Sequence, residues 1–89
     1  MNCGIVIIPT YNEIENIESI IRAVFSLEKI FHILIVDDNS PDGTAQKVAE
    51  LQAEFPEKLF IEVRKKKSGL GTAYVHGFKW ALQRNYEYI

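Results

Sequence analysis

The chain has 89 residues, 47% of them hydrophobic and 25% charged, with a formal net charge of −2. This composition excludes a disordered or collagen-like chain and predicts one ordinary globular domain, whose small size limits the share of surface it can bury and so its stability. The slight acidity excludes a nucleic-acid binder held by bulk charge, and the only basic run, Arg64-Lys65-Lys66-Lys67, reads as a solvated turn.

Cys3-Gly4-Ile5-Val6-Ile7-Ile8, stopped by Pro9, is a β-branched run that fits a strand buried on both faces, as in a parallel sheet. Cys3 is the only cysteine, so no internal disulfide is possible, and it reads as an inert buried thiol. Asn12 as N-cap, with Glu15 as its capping-box partner, predicts a helix over residues 13–27 with Ile14, Ile17, Ile21 and Val24 on its apolar stripe. Phe31-His32-Ile33-Leu34-Ile35-Val36 is the second strand, ending abruptly at Asp37-Asp38-Asn39-Ser40-Pro41-Asp42-Gly43. Ser40 as N-cap and Pro41 at the first helical position start the next helix, which carries Ala45, Val48, Leu51 and Phe55 and is closed by Pro56.

Leu59-Phe60-Ile61-Glu62-Val63 is a third strand, Lys67-Ser68-Gly69-Leu70-Gly71 a loop, and residues 72–84 a third helix. Tyr86-Glu87-Tyr88-Ile89 opens a fourth strand. The βαβαβαβ order predicts an α/β fold: a parallel sheet with right-handed crossovers and helices on both faces. A chain that stops inside a strand is expected to be a fragment, one truncated domain over residues 1–89. The longest apolar stretches, residues 3–9 and 30–36, are too short to span a bilayer, and the N-terminus lacks the layout of a signal peptide. A cytoplasmic protein is expected, meeting a membrane only through further sequence or a partner.

Ligands of open parallel sheets bind beyond the carboxyl ends of the strands. That rule brings Pro9-Thr10-Tyr11-Asn12-Glu13 and the segment from Asp37 to Gly43 together. Tyr11 offers a face for stacking on a base, Pro9 stiffens the turn, and Glu13 and Asp38 are acceptors for base N–H groups or ribose hydroxyls. Taken singly, Tyr11 is a half-buried loop aromatic and Glu13 a charge in a helix's first turn. On one rim beside an acidic pair, they point to a nucleoside site. Adjacent strand-end residues point in different directions, so one aspartate bonds locally and Asp38 faces the ligand. Asp42 reads as a capping residue. Gly69-Leu70-Gly71, with Lys67 on the same side, either admits a phosphate to helix N–H groups or is a simple tight turn. His32 and His76 have no metal-ligand spacing and read as structural, and no catalytic dyad or triad is visible.

Val6-Ile7-Ile8-Pro9-Thr10-Tyr11-Asn12-Glu13 and Ile35-Val36-Asp37-Asp38-Asn39-Ser40-Pro41-Asp42-Gly43-Thr44 resemble two signatures of family 2 glycosyltransferases. The Ser40-Pro41-Asp42-Gly43-Thr44 continuation and Gly69-Leu70-Gly71-Thr72-Ala73-Tyr74-Val75-His76-Gly77-Phe78-Lys79 are similar to the dolichyl- or polyprenyl-phosphate mannosyltransferase branch. The resemblance implies the N-terminal half of a Rossmann-like GT-A domain that takes GDP-mannose, its guanosine contacting Pro9, Tyr11, Glu13, Val36 and Asp38. It implies a lipid-phosphate acceptor, dolichyl or another polyprenyl, whose anionic oxygen needs no strong protein base. It also implies a divalent cation, Mg or Mn, acting as a Lewis acid on the leaving diphosphate from an Asp-x-Asp motif expected after Ile89. Without that motif the 89 residues are expected to hold no metal, to carry no catalytic residue and to be inactive alone. Peripheral attachment to a cytoplasmic membrane face is expected of the full-length protein. An exposed strand edge is expected to favour self-association.

Three other readings stay open on the sequence. The first two motifs also suit a UDP-glucose type donor. Ile33-Leu34-Ile35-Val36-Asp37-Asp38 looks like the acidic strand of a receiver-type signalling domain, but no further aspartate follows Val63, where Arg64 stands instead. A non-catalytic nucleotide-binding module is the third class.

Overall fold

The computed structural model describes residues 4–28, 30–65, 69–84 and 86. The three β-branched runs form β1 (Gly4–Thr10), β2 (Phe31–Asp37) and β3 (Leu59–Val63). Between and after them lie α1 (Ile17–Phe25), α2 (Thr44–Leu51) and α3 (Leu70–Leu82). The strands are parallel in the order β1-β2-β3. Register pairs Thr10 with Asp37 and Asp37 with Val63, so all three strands end at one edge.

The middle strand carries the core. Ile33, Leu34, Ile35 and Val36 are fully buried, and because side chains alternate along a strand they supply both faces. Ile33 and Ile35 pack with Ile17, Ile21, Val48 and Leu51 beneath α1 and α2. Leu34 and Val36 pack with Ile5, Ile7, Ala73, Trp80 and Ala81 beneath α3. Each such aliphatic side chain contributes about 1.5–3 kcal/mol on burial. Helices therefore cover both faces, as the βα alternation predicts. α3 lies so close to β1 that a methyl on Gly77 would sit 2.6 Å from Ile7 Cγ2, which requires glycine there.

The helix starts depart from expectation. α1 begins at Ile17 rather than residue 13, and Asn12 adopts a left-handed φ of 56° outside the helix, so it is not the N-cap. α2 begins at Thr44, with Gly43 at φ 94° before it, so Ser40 and Pro41 do not start it. It ends at Leu51, and turns rather than helix lead to Pro56. α3 begins two residues early, at Leu70. His32 Nδ1 lies 2.6 Å from the buried Tyr86 hydroxyl and His76 Nε2 lies 3.2 Å from Glu62 Oε1, so both histidines have side-chain partners within the chain. Tyr86 is the only described residue of the expected fourth strand; residues 87–89, Cys3 and Lys67 lie outside the described residues. Among the described residues no helix is long and apolar enough to cross a membrane.

Candidate functional site

The carboxyl edge of the sheet is built around Asp37. Its buried carboxylate accepts from the Thr10 hydroxyl at 2.6 Å, the Ser40 hydroxyl at 2.6 Å and the Ser40 amide at 2.8 Å. It thus ties the end of β1 to the loop after β2 and has the local role expected for one of the two aspartates. The Asp38 amide donates to the Thr10 carbonyl at 3.1 Å, prolonging the β1–β2 pairing by one bond.

The turn after β1 is then gripped from across the sheet. The Asn12 amide donates to Ser40 Oγ at 2.9 Å, Glu13 to Thr44 Oγ1 at 3.0 Å, and Ile14 to Asp42 Oδ2 at 3.1 Å. The Ser40 hydroxyl in turn donates a hydrogen bond to Asp37 and the Thr44 hydroxyl to Asp42, so three consecutive amides end on two carboxylates. Asp42 also accepts from the Thr44 amide at 2.9 Å, fulfilling its expected capping role. Desolvation raises its pKa, but hydrogen bonds from the Thr44 hydroxyl and from the amides of Ile14 and Thr44 outweigh it and hold the carboxyl below its usual range. This explains why neither Asn12 nor Ser40 caps its own helix: the amides ahead of α1 are satisfied by the β2–α2 loop.

Pro9, Tyr11, Glu13 and Asp38 converge on one cleft of about 310 Å³. Tyr11 is 39% exposed there. Gly69 lines the same cleft, as do Thr10, Leu70 and Ala73, three residues that sequence reasoning did not single out. Val36 does not join them: its side chain is fully buried beneath α3 and serves the core. Gly71 is exposed and does not line the cleft, because the helix already begins at Leu70 and turns it away. A larger apolar hollow, about 340 Å³ along the outer edge of β1, is lined by Ile5, Val6, Tyr74 and Phe78 and holds none of these polar groups.

Arg64 is the main residue that sequence reasoning misread. It is not part of a solvated turn: its side chain is 13% exposed and forms a two-pronged ion pair with Asp38, Nε to Oδ1 at 2.6 Å and Nη2 to Oδ2 at 2.8 Å. Its place directly after β3, level with the other strand ends, was the available signal. Among the described residues no three His, Cys, Asp or Glu side chains gather as a metal site. Asp37, Asp38 and Asp42 are engaged by hydroxyls, a guanidinium and amides.

This open parallel sheet with its cleft beyond the strand ends corresponds to the N-terminal part of a GT-A fold. It matches, with a TM-score of 0.81 and 25% identity, a mannosyltransferase from Pyrobaculum calidifontis solved in complex with GDP-Man and Mn2+, over 86% of this chain and 24% of that one. Residues 5–89 match the profile described as Glycosyl transferase family 2, and the chain belongs to that family. It is 46% identical over 85 residues to the polyprenol monophosphomannose synthase of Mycolicibacterium smegmatis, covering 96% of this chain and 32% of that protein. It is 41% identical to the undecaprenyl-phosphate mannosyltransferase of Micrococcus luteus, over 93% of this chain and 34% of that protein. With the dolichol-phosphate mannosyltransferase of Pyrococcus furiosus it shares 44% identity over 85% of this chain and 22% of that protein. The chain spans between 22% and 34% of the length of these curated relatives.

Proposed function

We propose that this chain is the nucleoside-binding half of a glycosyltransferase that moves mannose from GDP-mannose to dolichyl or another polyprenyl phosphate. The carrying observation is the convergence of Tyr11, Glu13 and Asp38 on one cleft at the carboxyl edge of the sheet. The names of the three curated relatives above support mannose and the lipid-phosphate acceptor, and the GDP-Man bound in the structural relative supports the donor. In this reading Tyr11 stacks on the base against Pro9, while Glu13 and Asp38 accept from base N–H groups or ribose hydroxyls. Gly69 and the first turn of α3 face the diphosphate, whose charge the helix N-terminus favours. Lys67 is proposed to approach from the same side.

The reaction needs little else from these residues. A lipid-phosphate oxygen forms a bond to the anomeric carbon, the bond from that carbon to the diphosphate breaks, and its electron pair leaves with GDP. The nucleophile is already anionic, so no general base is required. The cation suggested by the Mn2+ of the structural relative is proposed to sit on an Asp-x-Asp motif beyond Ile89. The 89 residues are accordingly proposed to bind nucleotide weakly and not to turn over. The lipid acceptor places the full-length protein at a membrane surface, on the cytoplasmic face in this reading.

Calorimetry of GDP against UDP on this chain tests the proposal. GDP is expected to bind more tightly. Tyr11→Ala is expected to weaken it by about 5- to 150-fold, the equivalent of roughly 1–3 kcal/mol of stacking. Tighter binding of UDP, or binding of neither, would overturn the reading, and mannosyl transfer to a polyprenyl phosphate by these residues alone would overturn the claim of inactivity.

A further inference from the structure

We propose that Arg64 is the positioning residue of the cleft, fixing the Asp38 carboxylate and linking it to the first turn of α3. For its ligand this rests on the donor-binding reading above; for its coupling it rests on geometry alone.

Arg64 follows β3 directly, and its amide donates to the Asp37 carbonyl at 2.7 Å, which anchors its backbone between the two strand ends. From there the guanidinium reaches in two directions. One side holds both oxygens of Asp38, whose side chain is 8% exposed. The other donates from Nη1 to the Thr72 hydroxyl at 3.0 Å and from Nη2 to the Gly69 carbonyl at 3.3 Å. Thr72 Oγ1 in turn donates to that same carbonyl at 2.8 Å.

Two consequences follow from the shape of the groups. A planar fork on both carboxylate oxygens prevents rotation of Asp38, so its remaining lone pairs keep one aim. The same rigid plane joins two residues that line the cleft, Asp38 and Gly69. A change in what Asp38 holds is therefore felt at the start of α3. Lysine, a single point charge on a flexible stem, cannot do both.

The test is a cycle of Asp38→Asn, Arg64→Lys and the double variant of the 89-residue chain, followed by amide NMR and GDP calorimetry, with circular dichroism as the check on folding. Asp38→Asn is expected to shift the amides of residues 70–73 in the wild-type background and to leave them unmoved in the Arg64→Lys background. Shifts that persist there would mean that Asp38 acts on α3 directly, and the proposal is lost. With GDP, Arg64→Lys is expected to bind about tenfold more weakly and to lose preference over UDP, and the double variant to be no weaker than Asp38→Asn alone. Additive losses would assign Arg64 a purely structural role and overturn the proposal. If Arg64→Lys does not fold, Thr72→Val, which leaves the ion pair and the Gly69 bond intact but removes one of the two links to α3, is expected to shrink the amide shifts at residues 70, 71 and 73, and shifts of unchanged size overturn the proposal. If the wild type binds no GDP, the donor reading fails, while the amide cycle still decides the coupling.

Discussion

Replacing Asp37 with alanine removes the acceptor on which the carboxyl edge of the sheet is built. The carboxylate is fully buried and takes hydrogen bonds from the Thr10 hydroxyl, the Ser40 hydroxyl and the Ser40 amide, at 2.6, 2.6 and 2.8 Å. Thr10 and Ser40 are themselves buried, so water does not readily replace the lost oxygen atoms. Each buried donor left without a partner costs about 1–3 kcal/mol, so the Thr10 hydroxyl and the Ser40 amide together cost about 2–6 kcal/mol. Small domains lie toward the low end of the usual range of about 5–15 kcal/mol, so Asp37→Ala should bring the chain close to its unfolding midpoint in plain buffer. Asp37→Asn keeps the shape and one acceptor oxygen but loses the charge that strengthens these bonds, and should cost about 1–2 kcal/mol. Trp80, the only tryptophan and 8% exposed, reports unfolding by fluorescence in a urea titration, with circular dichroism as a second probe. An Asp37→Ala variant within 1 kcal/mol of the wild type (about a fivefold change in the folding equilibrium) would refute the assignment of Asp37 as the buried tie between β1 and the β2–α2 loop.

Gly77→Ala places a methyl 2.6 Å from Ile7 Cγ2 and 2.9 Å from Ile7 Cδ1. The overpacking penalty of about 1–3 kcal/mol exceeds the gain in helix propensity of about 1 kcal/mol, so the melting temperature should fall by several degrees, and an unchanged melt would contradict the close approach of α3 to β1. His32 is pushed below its ordinary pKa of 6.5 by burial and by the nearby Lys58 charge. The unfolded chain therefore binds its proton first, so stability is full above pH 6.5 and declines as pH falls through 6.5 toward the folded value. A urea midpoint that falls between pH 7.5 and 5 in the wild type but not in His32→Gln is the expected result, and equal slopes would remove His32 from the account. Among the described residues, β1 pairs only with β2, and Tyr74 and Phe78 are exposed beside its outer edge. Sedimentation should therefore show concentration-dependent association that Phe78→Lys weakens, and a clean monomer at high concentration would count against it.

Much of the fold was legible in residue type alone. The three strands are runs of β-branched residues whose buried character needs no knowledge of the partner, and β3 falls on Leu59–Val63, the residues its composition marks. The alternation with helices then leaves a parallel sheet with its cleft at the carboxyl ends as the natural architecture. The placement of Pro9, Tyr11, Glu13 and Asp38 on one rim follows from that rule. What was not legible is which polar group satisfies which. Asn12 and Ser40 have the chemistry of helix caps, yet they bond to each other across 28 positions of sequence. Glu13 reaches Thr44 across 31 positions, and Arg64 reaches Asp38 across 26. Val36 adds a tertiary fact of the same kind: alternation along β2 turns its side chain into the core beneath α3. Local propensity acts over three or four residues, whereas these partners are chosen by strand register, which sets Thr10, Asp37 and Val63 side by side. Once that edge has formed, a buried carboxylate or guanidinium must take the nearest partner in space, and neighbours in the sequence have no say in which one that is.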